Sequence, residues 1–79
     1  MSAWYACPRP DCHQVTRWLG LVRYSIGLTD PQPRWMCSSC LEELRHLEDE
    51  YARGRAFAVG EMVWGLSVLA ERGQRVAAV

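Results

Sequence analysis

The chain has 79 residues, the size of one small domain, and domains of this size often need a metal, disulfides or oligomerisation to supplement their core. Hydrophobic residues make up 49% and charged residues 23%, a balance typical of a folded protein and not of a disordered one. The formal net charge is zero, so no global field attracts nucleic acid or an anionic membrane, and no apolar stretch is long enough to span a bilayer.

The N-terminal segment contains a first pair of cysteines. Cys7 and Cys12 enclose four residues, and two of these are the prolines Pro8 and Pro10. Because proline fixes φ, this loop is stiff and holds two sulfurs near one point with little entropy left to lose. The residues before it form neither the basic nor the apolar region of a signal peptide, so we expect a cytoplasmic protein with reduced thiols.

Residues 14–26 are ambiguous between helix and strand. Their apolar residues fit a helical stripe, but the segment is also rich in β-branched and aromatic residues. We predict a short β-hairpin that turns near Gly20, because an interior glycine weakens a helix. A proline-containing loop over residues 27–33 and a short extended run, Arg34-Trp35-Met36, then lead to Cys37.

The clearest helix is predicted over about residues 39–53. Ser39 and Glu42 have the spacing of a capping box, and Gly54 follows as a natural helix end. Cys40 falls in the first turn, where the helix dipole favours a thiolate. One face of the helix is apolar and consists of Leu41, Leu44, Leu47 and Tyr51.

A second amphipathic helix is predicted over about residues 58–72, ending at Gly73. Its main apolar stripe consists of Val59, Met62, Val63, Leu66, Leu69 and Ala70. The chain is therefore divided into a metal-binding part, residues 1–56, and this C-terminal helix, residues 57–79, within one compact unit.

Three further apolar residues, Phe57, Trp64 and Val68, fall opposite that stripe on a helical wheel. A helix that is apolar on both faces is either buried on both sides or bound to a partner. We expect these residues to bind a protein partner or a second copy of the chain, with packing on the metal-binding part as the alternative. Aromatic anchors such as Trp64 are common in interfaces.

The two cysteine pairs together predict a metal site. Cys37 and Cys40 enclose two residues, and 24 residues separate the pairs, a spacing typical of four thiolates around one tetrahedral ion. Zinc is the expected ion, an iron–sulfur cluster is the alternative, and a disulfide scaffold is disfavoured in a reducing compartment. Four thiolates leave zinc no open position for water, so we expect no enzyme activity and no catalytic residues.

The two histidines are not expected to be ligands. His13 directly follows Cys12 and is interpreted as a polar loop residue, and His46 lies on the outward side of the predicted helix. Neither is placed beside a candidate nucleophile.

The order of these features resembles treble-clef and zinc-ribbon domains. The resemblance covers residues 5–53 and rests on Cys7-x4-Cys12, a predicted hairpin, and Cys37-Ser38-Ser39-Cys40 at the start of a helix. It implies a small α+β fold with a structural zinc and a binding role. The fold by itself implies no particular activity, since it hosts many functions.

A shorter stretch, Val63-Trp64-Gly65-Leu66-Ser67 followed by Glu71-Arg72, resembles the Trp-Gly turn of WhiB-like actinobacterial transcription factors. That resemblance implies a four-iron cluster and a contact with a sigma factor. The order of cysteine spacings in this chain differs from that family.

Nucleic-acid binding is the alternative to a protein partner. Four arginines lie in the N-terminal half among aromatic residues, as a nucleic-acid surface requires, and ordinary surface arginines have the same pattern. They are Arg9, Arg17, Arg23 and Arg34. The leading expectation is a zinc-stabilised module for protein–protein interaction, with regulation of the transcription machinery as its candidate role.

Overall fold

A computed structural model of the chain describes residues 4–29, 32–55 and 58–74. These residues form a small α+β domain with two antiparallel sheets and one α-helix, which confirms the predicted fold class. The elements are β1 Tyr5–Ala6, β2 Val15–Thr16, β3 Trp18–Ile26, β4 Arg34–Met36, α1 Ser38–Ala52, one 3₁₀ turn at Val59–Glu61, and β5 Val63–Gly73. Within the described ranges, no helix has the length and hydropathy needed to cross a membrane.

Strands β1 and β2 form a two-stranded ladder that closes the first cysteine loop. Tyr5 pairs with Thr16 and Ala6 with Val15. Just inside the ladder the amide of Cys7 donates to the carbonyl of Gln14 at 3.0 Å. The stiff Cys7–Cys12 loop thus becomes a closed knuckle.

Strand β3 is the centre of the second sheet, whose strand order is β4-β3-β5. The predicted turn near Gly20 is wrong, because β3 runs without interruption from Trp18 to Ile26 and forms its hairpin with β4 instead. Gly20 lies under the indole of Trp18, where an added Cβ would come within 2.5 Å of the ring. The glycine therefore marks a close packing position and not a chain reversal.

The predicted C-terminal helix over residues 58–72 is also wrong. Val63–Gly73 is a strand that pairs with β3 from Trp18↔Gly73 to Ile26↔Val63. The ladder contains two bulges, between Leu21 and Val22 and between Arg23 and Ser25 on β3. Each bulge adds one residue to β5 and interrupts the alternation that identifies a strand.

Helix α1 is close to its predicted position. It begins at Ser38, with Cys37 as the N-cap residue and no side-chain cap hydrogen bond, so the predicted capping box of Ser39 and Glu42 is wrong. Ser39 Oγ donates instead to Gln14 Oε1 at 3.3 Å, which ties the helix start to the first knuckle.

The end of α1 is as predicted. Gly54 has φ 72°, its amide donates to the Tyr51 carbonyl, and the Arg55 amide donates to the Glu50 carbonyl. This is a Schellman motif, which satisfies the last carbonyls of the helix.

The core lies between α1 and one face of the three-stranded sheet. Ten hydrophobic residues of the domain are buried, namely Cys7, Trp18, Leu19, Val22, Met36, Cys37, Cys40, Leu41, Leu44 and Val63. Helix and sheet are joined by Glu48, whose Oε2 accepts from the Leu66 amide at 2.9 Å. The predicted division at residue 56 stays a prediction, but β5 belongs to the same sheet as β3 and β4.

On the other face of the sheet, the guanidinium of Arg72 stacks over the ring of Trp35 at 4.3 Å from its centroid. Arg72 pairs with Leu19 and Trp35 pairs with Leu21, so the stack crosses the central strand. This cover explains why Leu19 is buried on that face.

Candidate metal centre

The four cysteine sulfurs come together at one point, as the spacing predicted. All four Sγ atoms lie within 4.8 Å of one another. The closest pairs are Cys37–Cys40 at 3.6 Å, Cys12–Cys37 at 3.7 Å and Cys7–Cys40 at 3.8 Å. The two knuckles therefore supply one cluster of four sulfurs that suits a metal ion.

Each sulfur is positioned by a different local structure. Cys7 and Cys12 lie at the two ends of the proline-containing loop, which is tightened by a hydrogen bond from the Cys12 amide to the Arg9 carbonyl at 3.1 Å. Cys37 follows directly after β4, and Cys40 is in the first turn of α1. Because β4 is paired with β3, the second pair is held by the sheet as well as by the helix.

Burial makes the second pair of thiols hard to ionise in the metal-free state. It raises the pKa of Cys37, and together with the other three thiols it raises the pKa of Cys40 to about 12. Cys7 behaves differently. Burial opposes its ionisation too, but hydrogen bonds from the backbone amides of Arg9 and Cys37 and from neighbouring thiols lower its pKa to about 7.

The cluster opens to solvent on one side, next to Cys12. A cleft of about 360 Å³ lies there, lined by Arg9, Asp11, Gln14, Ser39 and Glu43 as well as by the sulfur-bearing residues Cys12 and Cys40. Cys12 is partly exposed, whereas the other three cysteines are buried. Access to the metal centre is therefore through this cleft.

Two charged residues beside the cleft, Arg9 and Glu43, were not predicted from the sequence to lie near the cysteine cluster. Arg9 Nη1 lies 3.8 Å from Glu43 Oε2. Burial alone would lower the pKa of Arg9, but its hydrogen bond to the Cys40 sulfur and the charges of Cys40 and Glu43 raise it above its ordinary value. The signal in the sequence was Glu43 three residues after Cys40, which places both on one side of α1.

Both histidines are exposed, which was the prediction for His46, and His13 lies in a loop, as interpreted from the sequence. Neither belongs to the group of side chains that could hold a metal among the described residues.

Of the predicted partner-binding residues, Trp64 and Val68 do not share a helical face, because both lie on strand β5. Trp64 and Val68 are 44% and 36% exposed on β5, and Leu69, the extra residue of the bulge opposite Leu21 and Val22, is 52% exposed. Trp64 is also anchored, since its Nε1 donates to the Gly27 carbonyl at 3.1 Å. Phe57 lies outside the described residues. Their role in binding a partner stays a prediction.

The four N-terminal arginines are not brought together into one surface. Arg34 pairs with Val22, so Arg23, the next residue along β3, lies on the opposite face of the sheet. Arg17 stacks on Trp4 at 4.8 Å from the ring centroid, and Arg9 is at the cysteine cluster. The aromatic residues predicted to accompany them are engaged elsewhere, Trp18 in the core and Trp35 under Arg72.

The fold and the site together define a small α+β domain with a four-cysteine, metal-binding cluster. Comparisons with protein-family models, with curated proteins and with solved structures found no match to this chain. The functional argument therefore rests on the geometry of the cluster and on the surfaces that surround it.

Proposed function

We propose that this chain is a small binding module whose fold is held by one zinc ion bound to Cys7, Cys12, Cys37 and Cys40. The mutual distances of the four sulfurs carry the proposal. Tetrahedral zinc with Zn–S bonds of about 2.3 Å requires sulfurs about 3.8 Å apart. The three closest pairs are 3.6, 3.7 and 3.8 Å apart, which fits thiolates that share one ion.

Zinc is favoured over an iron–sulfur cluster by the same distances. In a four-iron cluster each cysteine binds a different iron, so the sulfurs stand farther apart than ligands of a single ion. The arrangement of knuckle, β3–β4 hairpin and helix-borne second pair also agrees with the order implied by the treble-clef resemblance. With four thiolates as ligands the ion keeps no position for a substrate, so its role is structural and not catalytic.

Metal analysis tests this proposal. Protein purified without oxygen is expected to contain one zinc per chain, and replacement by Co²⁺ is expected to give the absorption bands of a tetrahedral four-thiolate site. Cys12→Ser should weaken binding of Co²⁺ and alter these bands, whereas His13→Gln, at the neighbouring position, should leave both unchanged. Four irons per chain with a brown colour, or no bound metal, would overturn the zinc assignment.

The binding role is assigned to strand β5 and its free edge. β5 is the outer strand of the order β4-β3-β5, so one side of its backbone has no strand partner among the described residues. Its segment 65–70 contains no charged residue, and Val68 and Leu69 are 36% and 52% exposed. An exposed, uncharged edge is suited to the addition of a partner's strand.

A protein partner, or a second copy of this chain, is therefore the expected ligand. The resemblance of residues 63–67 to WhiB-like proteins makes a sigma factor the first component of the transcription machinery to test. Among the described residues the four arginines do not form one surface, which disfavours nucleic-acid binding.

Substitution at the edge tests the binding role. Leu69→Glu should abolish binding of partners captured by the wild-type protein, and should abolish self-association in sedimentation measurements if the partner is a second copy. Leu28→Glu is the matched control, because Leu28 is 88% exposed but lies in the loop after β3. Equal binding by both variants and the wild type would refute the assignment to β5.

A further inference from the structure

One cation lies among several anions at the open side of the cysteine cluster. Among the described side chains that line the cleft, Asp11 and Glu43 are acidic and Arg9 alone is basic. A divalent ion with four thiolates carries a net charge of −2, so this group of side chains adds further negative charge to a negative centre. Arg9 is the group that can offset it.

The backbone and the side chain of Arg9 reach different parts of the cluster. The Arg9 carbonyl accepts a hydrogen bond from the Cys12 amide, which fixes the residue within the first knuckle. Its side chain then extends to the second knuckle, where it lines the same cleft as Cys40 and its Nη1 lies 3.8 Å from Glu43 Oε2.

Glu43 holds the guanidinium in this position. It lies three residues after Cys40 on α1, so carboxylate and sulfur project from the same side of the helix. The Arg9 side chain is only 29% exposed, whereas Glu43 is 65% exposed, so the carboxylate approaches the arginine from the solvent side. This arrangement directs the guanidinium towards the sulfur.

We propose that Arg9 is a positioning residue of the metal centre: held by Glu43, it donates a hydrogen bond to the Cys40 thiolate and offsets the negative charge of the four-thiolate site. The proposal rests on the proposed function, because it requires the four cysteines to bind one metal ion. A hydrogen bond to a ligating thiolate reduces the electron density on sulfur. The Cys40 sulfur is then less readily protonated, and the metal is released more slowly.

The experiment compares variants of the full chain loaded with Zn²⁺ or Co²⁺. Arg9→Gln removes the charge, and Arg9→Lys keeps the charge but not the planar guanidinium. Arg17→Gln is the matched control, since Arg17 is in the same N-terminal half but stacks on Trp4. Transfer of Zn²⁺ to a chromophoric chelator should be about 10-fold faster in Arg9→Gln, intermediate in Arg9→Lys and unchanged in Arg17→Gln.

The spectrum of the Co²⁺ form separates this role from a general loss of stability. The sulfur-to-cobalt charge-transfer band should move to longer wavelength in Arg9→Gln, because electron density returns to the sulfur, and Arg9→Lys should restore part of the shift. If Arg9→Gln binds one metal with the wild-type spectrum and release rate, the inference is wrong while the proposed zinc site stands. If the wild-type chain itself does not bind one metal through four thiolates, the proposed function is wrong, and the role of Arg9 is refuted together with it. Should Arg9→Gln not fold, Glu43→Gln provides the same comparison, with a smaller shift expected and no shift contradicting the inference.

Discussion

The four cysteines differ in how readily their thiols ionise, and this difference determines how metal binding depends on pH. Cys7, assisted by backbone amides, has a pKa of about 7, whereas burial raises the pKa of Cys37 and brings that of Cys40 to about 12. A metal binds the thiolate form, so at neutral pH its binding displaces protons from at least Cys37 and Cys40.

Metal affinity should therefore fall steeply on acidification. In the metal-bound state the ligand sulfurs stay deprotonated, which is equivalent to a depressed pKa, so the stabilisation is present at high pH and is lost as the pH falls. With at least two protons displaced, and a further one from Cys7 below its pKa of about 7, the apparent affinity for Zn²⁺ should decrease by at least about 100-fold per unit between pH 8 and pH 6. Competition with a chelator across that range measures the slope.

Cys40→Ser provides the control for this prediction. It removes one of the thiols that must lose a proton, so the slope should become shallower by about 10-fold per unit, with a lower affinity throughout. An affinity of the wild type that does not change with pH would contradict the four-thiolate site.

At the scale of elements, the sequence predicted helix α1 correctly but predicted a helix where the structure has strand β5. α1 was predicted to within one residue at each end, because its apolar face and Gly54 are local signals. On β5, Val63 and Leu66 both pack against the core although they are three residues apart, since the Gly65 bulge lies between them. A spacing of three residues is also typical of an apolar helical stripe. The pairing with β3 makes the segment a strand, and this pairing is not visible in the local sequence.

Substitution of the glycine at the end of β5 tests its packing. Gly73 has φ 76°, and an added Cβ would collide with the Arg17 carbonyl and approach the ring of Tyr5. Gly73→Ala should therefore lower the free energy of unfolding by about 3 kcal/mol, from the left-handed backbone and the steric overlap together. Chemical unfolding of the zinc-loaded protein measures the loss.

Gly54→Ala isolates the backbone contribution. Gly54 has a similar φ of 72°, but nothing lies within 4 Å of an added Cβ, so the expected loss is about 1 kcal/mol. If the two variants lose the same stability, β5 does not pack against the residue 17 backbone as described.

For the whole molecule, the metal site and the hydrophobic core are the same structure. Three of the ten buried core residues are Cys7, Cys37 and Cys40. Apart from the sulfurs, the first knuckle is joined to α1 by the Ser39–Gln14 hydrogen bond and by the contact between Arg9 and Glu43. A core this small gives limited stability by itself, so a bound ion should contribute a large share of the free energy of folding.

Removal of the metal should consequently unfold most of the chain. A strong chelator is expected to abolish the dispersion of amide signals in NMR spectra, and added Zn²⁺ should restore it. The wild-type protein treated with chelator already saturated with Zn²⁺ serves as the control. A native spectrum after complete removal of the metal would show that the apolar core suffices without the ion.

The sequence by itself determined the features that depend on neighbours along the chain: the spacing of the cysteines, the stiff proline loop, helix α1 and its end at Gly54. It also predicted an α+β domain around a metal, because two thiol pairs at these spacings have few other uses. Only the tertiary structure decided that residues 18–26 form one central strand and that residues 63–73 pair with it, since backbone pairing between segments about 45 residues apart leaves no local periodic signal when bulges interrupt it. The position of Arg9 beside Cys40 was likewise decided by tertiary structure, because it joins two knuckles whose charges meet only after the sheet and helix have brought the four sulfurs together.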